Sequence, residues 1–165
     1  MVYITEVLNS THKKKLFSCG KPLLDNYLQT QAKQDVARKL SVCFVLPTET
    51  NVIKGYYTLS NASIEQHLLT EEIRKKLPPN YKNLSATLLG RLAVANEFMG
   101  NGLGELLLLD ALKRSFDVSL SVASMAIIVD PIDDEAIAFY FKYGFILLPN
   151  SGKMFLAMQT VSKLF

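Results

Sequence analysis

The stretch Leu88 to Arg114 constrains this chain most. It opens with Leu88-Leu89-Gly90-Arg91-Leu92-Ala93-Val94, a nearly continuous apolar run of strand length. A polar turn, Ala95-Asn96-Glu97, leads into Phe98-Met99-Gly100-Asn101-Gly102-Leu103-Gly104. A helix is expected from Glu105 to Arg114, with Leu106, Leu109 and Leu112 at helical spacing. Strand, glycine loop and helix in that order make an anion site. Glycines let backbone N–H groups face a ligand, and a helix N-terminus adds about half a positive charge. Glycine also serves turns and close helix–sheet packing, so the loop alone leaves both readings open.

Two phosphate motifs fail against this loop. A P-loop places Lys-Ser or Lys-Thr after its last glycine, whereas Glu105-Leu106 follows here. The dinucleotide fingerprint is Gly-x-Gly-x-x-Gly, and this spacing is Gly-x-Gly-x-Gly. The loop instead resembles the acyl-CoA motif of the GNAT N-acetyltransferases, Gln/Arg-x-x-Gly-x-Gly/Ala, over Met99, Gly100, Asn101, Gly102, Leu103 and Gly104. Met99 stands where that family prefers Gln or Arg. The resemblance implies that these six residues bind acetyl-CoA through backbone N–H groups. It also implies that Leu92, Ala93 and Val94 form the end of a splayed strand on which the pantetheine arm pairs.

The chain has 165 residues and reads as a single domain, 1–165. No apolar run approaches the ~20 residues of a membrane span, and Met1 to Glu6 reads as a strand, not a signal peptide. Cys19 and Cys43 lack zinc spacing, and the histidines are only His12 and His67, so no metal is expected and a cytoplasmic location fits. A net charge of +3 permits an anionic partner without demanding one.

In chain order, Val2 to Leu8 is expected as a strand and Pro22 to about Lys39 as one helix. Ser41 to Pro47 and Val52 to Ser63 read as a hairpin around Thr48-Glu49-Thr50-Asn51, the second strand interrupted by Gly55. Leu68 to Leu77 reads as a short helix with Thr70 at its N-cap, and Asn80 to Leu84 as loop. Past Arg114, Asp117 to Ser121 is a connection and Val122 to Val129 a strand. A helix capped by Asp133 or Asp134 runs through Lys142, and Phe145–Leu148 and Lys153–Gln159 are closing strands. The fold class is α/β (α+β), a mixed sheet with helices on both faces. The GNAT resemblance adds that the sheet is mostly antiparallel and splayed at its central strands.

A second motif, Ala136-Ile137-Ala138-Phe139-Tyr140-Phe141-Lys142-Tyr143-Gly144-Phe145, matches every fixed letter of the GNAT pattern A-x-x-F-Y-x-x-x-G-F. The resemblance implies that Tyr140 protonates the departing thiolate. The other reading of Tyr140 is a core aromatic within a cluster of rings.

Phe17-x-Cys19-Gly20, Leu24-Asp25-x-Tyr27-Leu28, Gly55-Tyr56-Tyr57-Thr58-Leu59-Ser60 and the Leu88–Val94 run are similar, over nearly the whole chain, to the GNAT-type toxins of bacterial toxin–antitoxin pairs. Ala95 replaces an Asp common after that last run. This resemblance implies acetylation of the α-amino group on charged tRNA, and inhibition by a ribbon-helix-helix antitoxin. Under it Lys33, Arg38, Lys39 and Arg91 are the tRNA candidates, with Arg74, Lys75, Lys76 and Lys82 as further cations able to track phosphates. Each surface cation is equally read as a solvated face. Arg91, a charge inside an apolar strand, needs either a structural ion pair or a substrate phosphate.

The mechanism expected is direct transfer, with amides near Leu92 to Val94 polarising the thioester carbonyl and no identified general base. Glu97 is a candidate base through water, and Cys19 is disfavoured as a covalent relay. A small amine, or a protein or peptide amine, is the alternative acceptor; a non-catalytic CoA- or antitoxin-binding module is a further alternative. A homodimer is compatible with the sequence.

Overall fold

The computed structural model describes residues 2–165. Seven strands, β1 (Glu6–Val7), β2 (Val42–Pro47), β3 (Ile53–Glu65), β4 (Asn83–Val94), β5 (Ala126–Val129), β6 (Ile146–Leu147) and β7 (Met154–Ala157), hydrogen-bond in the order β1-β2-β3-β4-β5-β7-β6. The helices are α1 (Pro22–Thr30), α2 (Ala32–Ala37), α3 (Glu71–Arg74), α4 (Leu103–Ser119), α5 (Asp134–Lys142) and α6 (Met158–Ser162). Strands β4 and β5 pair in parallel; β1/β2, β2/β3, β5/β7 and β6/β7 are antiparallel. The chain divides into two compact units, Met1–Ser60 with Leu89–Arg114 and Asn61–Leu88 with Ser115–Phe165.

In the first unit the hairpin forms as expected, with Asn51 at φ 64° in its turn and a register shift at Leu46/Pro47. Helices cover both faces here. The Tyr56 hydroxyl donates to Leu24 O of α1 and the Tyr57 hydroxyl to Asp110 Oδ2 of α4, each at 2.7 Å, and adjacent strand residues point to opposite faces. Gly55 permits close approach: a Cβ there would stand 2.8 Å from Ala93 O and 2.7 Å from Leu107 Cδ1. Leu8, Phe17, Leu28, Ala32, Val45, Tyr56 and Ala93 share one core.

Several expected boundaries move, each for a local reason. The first strand shrinks to Glu6–Val7 because the Ile4 N–H leaves the ladder for Asp110 Oδ1, at 2.8 Å. The helix expected through Lys39 breaks at Gln31 (φ −122°). Thr30 Oγ1 there donates back to Asn26 O at 2.7 Å, a bond that bends helices. Helix α4 runs from Leu103 to Ser119, into the expected connection, because no glycine or proline follows Gly104 within it. Its buried face is Leu107, Leu108, Ala111 and Leu112, while Leu106 is exposed. Four consecutive leucines carry no periodicity from which that face is readable.

In the second unit Ile64, Leu69, Ala86, Ala126, Ile128, Leu148 and Phe155 form the core. All four residues of β5 are buried, as expected of a strand covered on both faces. That strand starts at Ala126, not Val122, because the Val122 N–H is taken by Val118 O at 2.9 Å in the exit turn of α4. Asp133 caps α5 by accepting from the Ala136 N–H at 2.8 Å. The helix expected over Leu68–Leu77 is only the single turn of α3. The last expected strand ends at Ala157, where α6 begins.

Candidate active site

The glycine loop presents donors. Gly100 (φ +84°) and Gly102 (φ +73°) hold a conformation that L side chains resist, and nothing lies within 4 Å of where either Cβ would stand. The Met99 N–H is engaged by Asn96 O at 3.3 Å, and the next amide engaged is that of Leu106, by Gly102 O at 3.2 Å. Between them the N–H groups of Gly100, Asn101, Gly102, Leu103, Gly104 and Glu105 have no acceptor among the described residues. Consecutive free amides running into the N-terminus of a 17-residue helix make a nest for an anion.

The end of β4 offers a second set of donors. Its pairing with β5 covers Thr87 and Leu88 only. The Ala95 N–H donates to Lys54 O on the β3 side at 2.8 Å, so the Val94 and Leu92 N–H groups point to the opposite edge. Lower in the strand the alternation is reversed. Lys82 O accepts from Gln66 N on the β3 side, and Ser85 O accepts from Met125 N on the other.

Tyr140 lies on α5 in the second unit. It is 7% exposed and packed edge-on against Phe139 and Phe145, with ring centroids at 5.2 and 5.3 Å. Its hydroxyl has no hydrogen bond among the described residues. Burial pushes its pKa above the ordinary tyrosine range. A ring clamped by rings with a free, protonated hydroxyl is a fixed proton donor.

The cations fall into distinct settings. Lys33 is on α2, and Arg38 and Lys39 follow its last residue; all three are exposed and unpaired among the described residues. Lys39 adopts φ 59° in the helix-ending turn, where the Leu40 N–H reaches Asp35 O. Arg91 has no ion pair among the described residues; its guanidinium lies 3.4 Å from the centre of the Tyr27 ring, and the Tyr27 hydroxyl donates to Asp35 on α2 at 2.7 Å. Burial, then Asp35, raises the Tyr27 hydroxyl to about 12, against the opposing pull of Arg91. In the second unit, Arg74 and Lys82 border an open cleft of about 430 Å³ with Glu65, Gln66 and His67.

The remaining candidates are quiet. Glu97 is exposed on a one-turn 3₁₀ segment and unpaired among the described residues. Burial, then the Asp25 hydrogen bond, raises the Cys19 thiol to about 11, so it is not a nucleophilic thiolate near neutral pH. No metal-holding cluster of His, Cys, Asp or Glu occurs among the described residues, and no helix there is long and apolar enough to cross a membrane. Sequence reasoning missed Tyr27 and Asp35, the supports of Arg91. It also missed the buried group of Thr5, Tyr57, Asp110 and Arg114. An Asp four residues before an Arg on an apolar helix face was the one available signal for the latter.

No protein-family model matches the chain. A tRNA-acetylating toxin of Mycobacterium tuberculosis is 35% identical over 134 residues, 81% of this chain and 78% of that protein. Among solved structures, a tyrosine-to-phenylalanine mutant of KacT superposes with a TM-score of 0.91 at 27% identity, covering 98% of each chain. AtaT complexed with acetyl-methionyl-tRNAfMet gives 0.88 at 28% identity, again over 98% of each chain. AtaTR bound with acetyl-CoA gives 0.84 at 28% identity, over 98% of this chain and 96% of that one.

Proposed function

This chain belongs to the family of GNAT-type tRNA-acetylating toxins, and from that premise we propose how it acts and on what. It is an N-acetyltransferase that uses acetyl-CoA to acetylate the α-amino group of an aminoacyl-tRNA by direct transfer. It works in the cytoplasm as one domain over 1–165, and a ribbon-helix-helix antitoxin restrains it. The relatives support the acceptor: one is named for acetylating tRNA and another was solved with an acetylated aminoacyl-tRNA.

The observation that carries the reading is the run of six amides, Gly100 to Glu105, that have no acceptor among the described residues. Acetyl-CoA supplies an acetyl group activated as a thioester. The amides of Gly100 to Glu105 grip its diphosphate. The Leu92 and Val94 N–H groups polarise the thioester carbonyl while the acceptor amine attacks. Tyr140 gives its proton to the sulfur as the carbon–sulfur bond breaks, and the amine's proton passes to solvent. An α-amino group with a pKa of about 7.7–8.0 or lower is substantially neutral near pH 7.5, so no dedicated base is required.

Incubating the purified protein with radiolabelled acetyl-CoA and total charged tRNA, with polyamines and peptides as competitors, tests the reading. Label in the aminoacyl-tRNA fraction is expected; label only in amines or peptides would overturn the acceptor assignment. Tyr140→Phe is expected to lower kcat roughly 10²–10⁴-fold with acetyl-CoA affinity unchanged. Because burial raises the Tyr140 pKa, the acid stays protonated as pH rises. The rate therefore climbs as the acceptor amine deprotonates and then holds. A descending limb below about pH 10 that vanishes in Tyr140→Phe contradicts this account.

A further inference from the structure

Strand β4 carries a charge that the fold holds without satisfying. Arg91 is partly buried, yet its guanidinium has neither a hydrogen bond nor an ion pair among the described residues. What it has is a platform, the Tyr27 ring at 3.4 Å, which is 6% exposed and pinned by the hydroxyl's 2.7 Å bond to Asp35. Stacking fixes the plane of a guanidinium but uses none of its five N–H donors. A purely structural arginine in such a place is expected to spend those donors on carboxylates or carbonyls. Arg114, in the same unit, does: its Nε reaches Tyr57 Oη at 2.9 Å and its Nη2 reaches Thr5 O at 2.8 Å.

We propose that Arg91 binds a phosphodiester near the 3′ end of the acceptor tRNA, with Tyr27 and Asp35 as the residues that position it. The inference rests on the function proposed above. A planar fork of N–H donors matches a phosphate bidentately, which a lysine cannot do. Arg91 immediately precedes Leu92, whose N–H lies on the free edge of β4, so a phosphate held there anchors the acceptor beside the strand that polarises the thioester. Asp35 sits on α2, the helix that carries Lys33 and is followed by Arg38 and Lys39. The Tyr27–Asp35 bond thus ties the stacked arginine to the exposed cations.

The test uses the full chain and steady-state acetylation of aminoacyl-tRNA across a salt series. Arg91→Gln is expected to raise KM for aminoacyl-tRNA about tenfold or more and to reduce the log–log salt slope by about one. Acetyl-CoA affinity by calorimetry should stay unchanged. Arg91→Lys should restore the salt slope but not the KM, since it supplies charge without the fork. Tyr27→Leu should raise KM while leaving the salt slope alone, and Tyr27→Phe, which keeps the ring, should lose much less. Wild-type KM and salt slope in Arg91→Gln would overturn the proposal. If that variant does not fold, Arg91→Lys decides, and a wild-type KM there overturns it equally. A wild-type protein that acetylates no charged tRNA sinks the proposed function itself. An active wild type with an equally active Arg91→Gln sinks only this inference.

Discussion

Two stretches of helix α4 and the chain leading into it treat hydrogen bonding in opposite ways. From Gly100 to Glu105, six consecutive N–H groups donate to nothing among the described residues. One and two turns further on, Asp110 and Arg114 sit in a largely buried polar group that is extensively hydrogen-bonded. Asp110 accepts from the Ile4 N–H, the Thr5 hydroxyl and the Tyr57 hydroxyl, and lies 3.6 Å from Arg114 Nε. Arg114 also stacks on the rings of Tyr3 and Phe44, 3.8 and 4.1 Å from their centres. The difference follows from water. Exposed orphan amides cost little because solvent satisfies them, whereas a buried unpaired group costs about 1–3 kcal/mol. Rigid donors left free at the surface are therefore available to a ligand, and saturated ones in the interior are scaffold.

The sharpest way to break that contrast is Asp110→Ala. It strips the scaffold cluster of its acceptor and leaves Arg114 without its carboxylate, so stability should fall by about 3–5 kcal/mol in urea unfolding. Acetyl-CoA affinity of the folded protein should barely change; a large loss of affinity at full stability would show the two regions are not separate in role. Next is Gly102→Ala, where a side chain meets no neighbour but a positive φ. It should cost about 1–2 kcal/mol of stability and weaken acetyl-CoA binding about tenfold, equivalent to about 1.4 kcal/mol. Unaltered binding by calorimetry would remove the nest from the account. The smallest effect is that of Glu105→Gln. The exposed carboxylate stabilises the helix N-terminus and repels an incoming diphosphate. Its removal should tighten acetyl-CoA a few-fold while lowering helix stability by about 0.3–1 kcal/mol.

How much of this was legible depends on the range of the interaction. The glycine loop and the Asp133 cap were readable because a turn or cap is set by residues within a few positions. The buried face of α4 was not, because Leu106 to Leu109 are chemically identical. The break at Gln31 is likewise not legible, since its cause is one threonine bonding backward in an otherwise helical pattern. Arg91 illustrates the middle case. An arginine in an apolar strand calls for a partner, and the sequence points to an anion; the structure supplies the face of Tyr27.

By itself the sequence determined the strand–loop–helix unit around Gly100 to Gly104, the aromatic motif around Tyr140 and, through their likeness to known acetyltransferases, the class of reaction. Those are features of local backbone and of residue order. Tertiary structure alone decided that Tyr27 supports Arg91, that Asp110 gathers the N-terminal segment onto α4, and that the Tyr140 hydroxyl is left without a partner among the described residues. These depend on groups separated in sequence by 64 residues for Tyr27 and Arg91 and by 105 for Thr5 and Asp110, or on an absence of neighbours. Such relations are set only when the whole chain competes for the same donors, acceptors and surfaces.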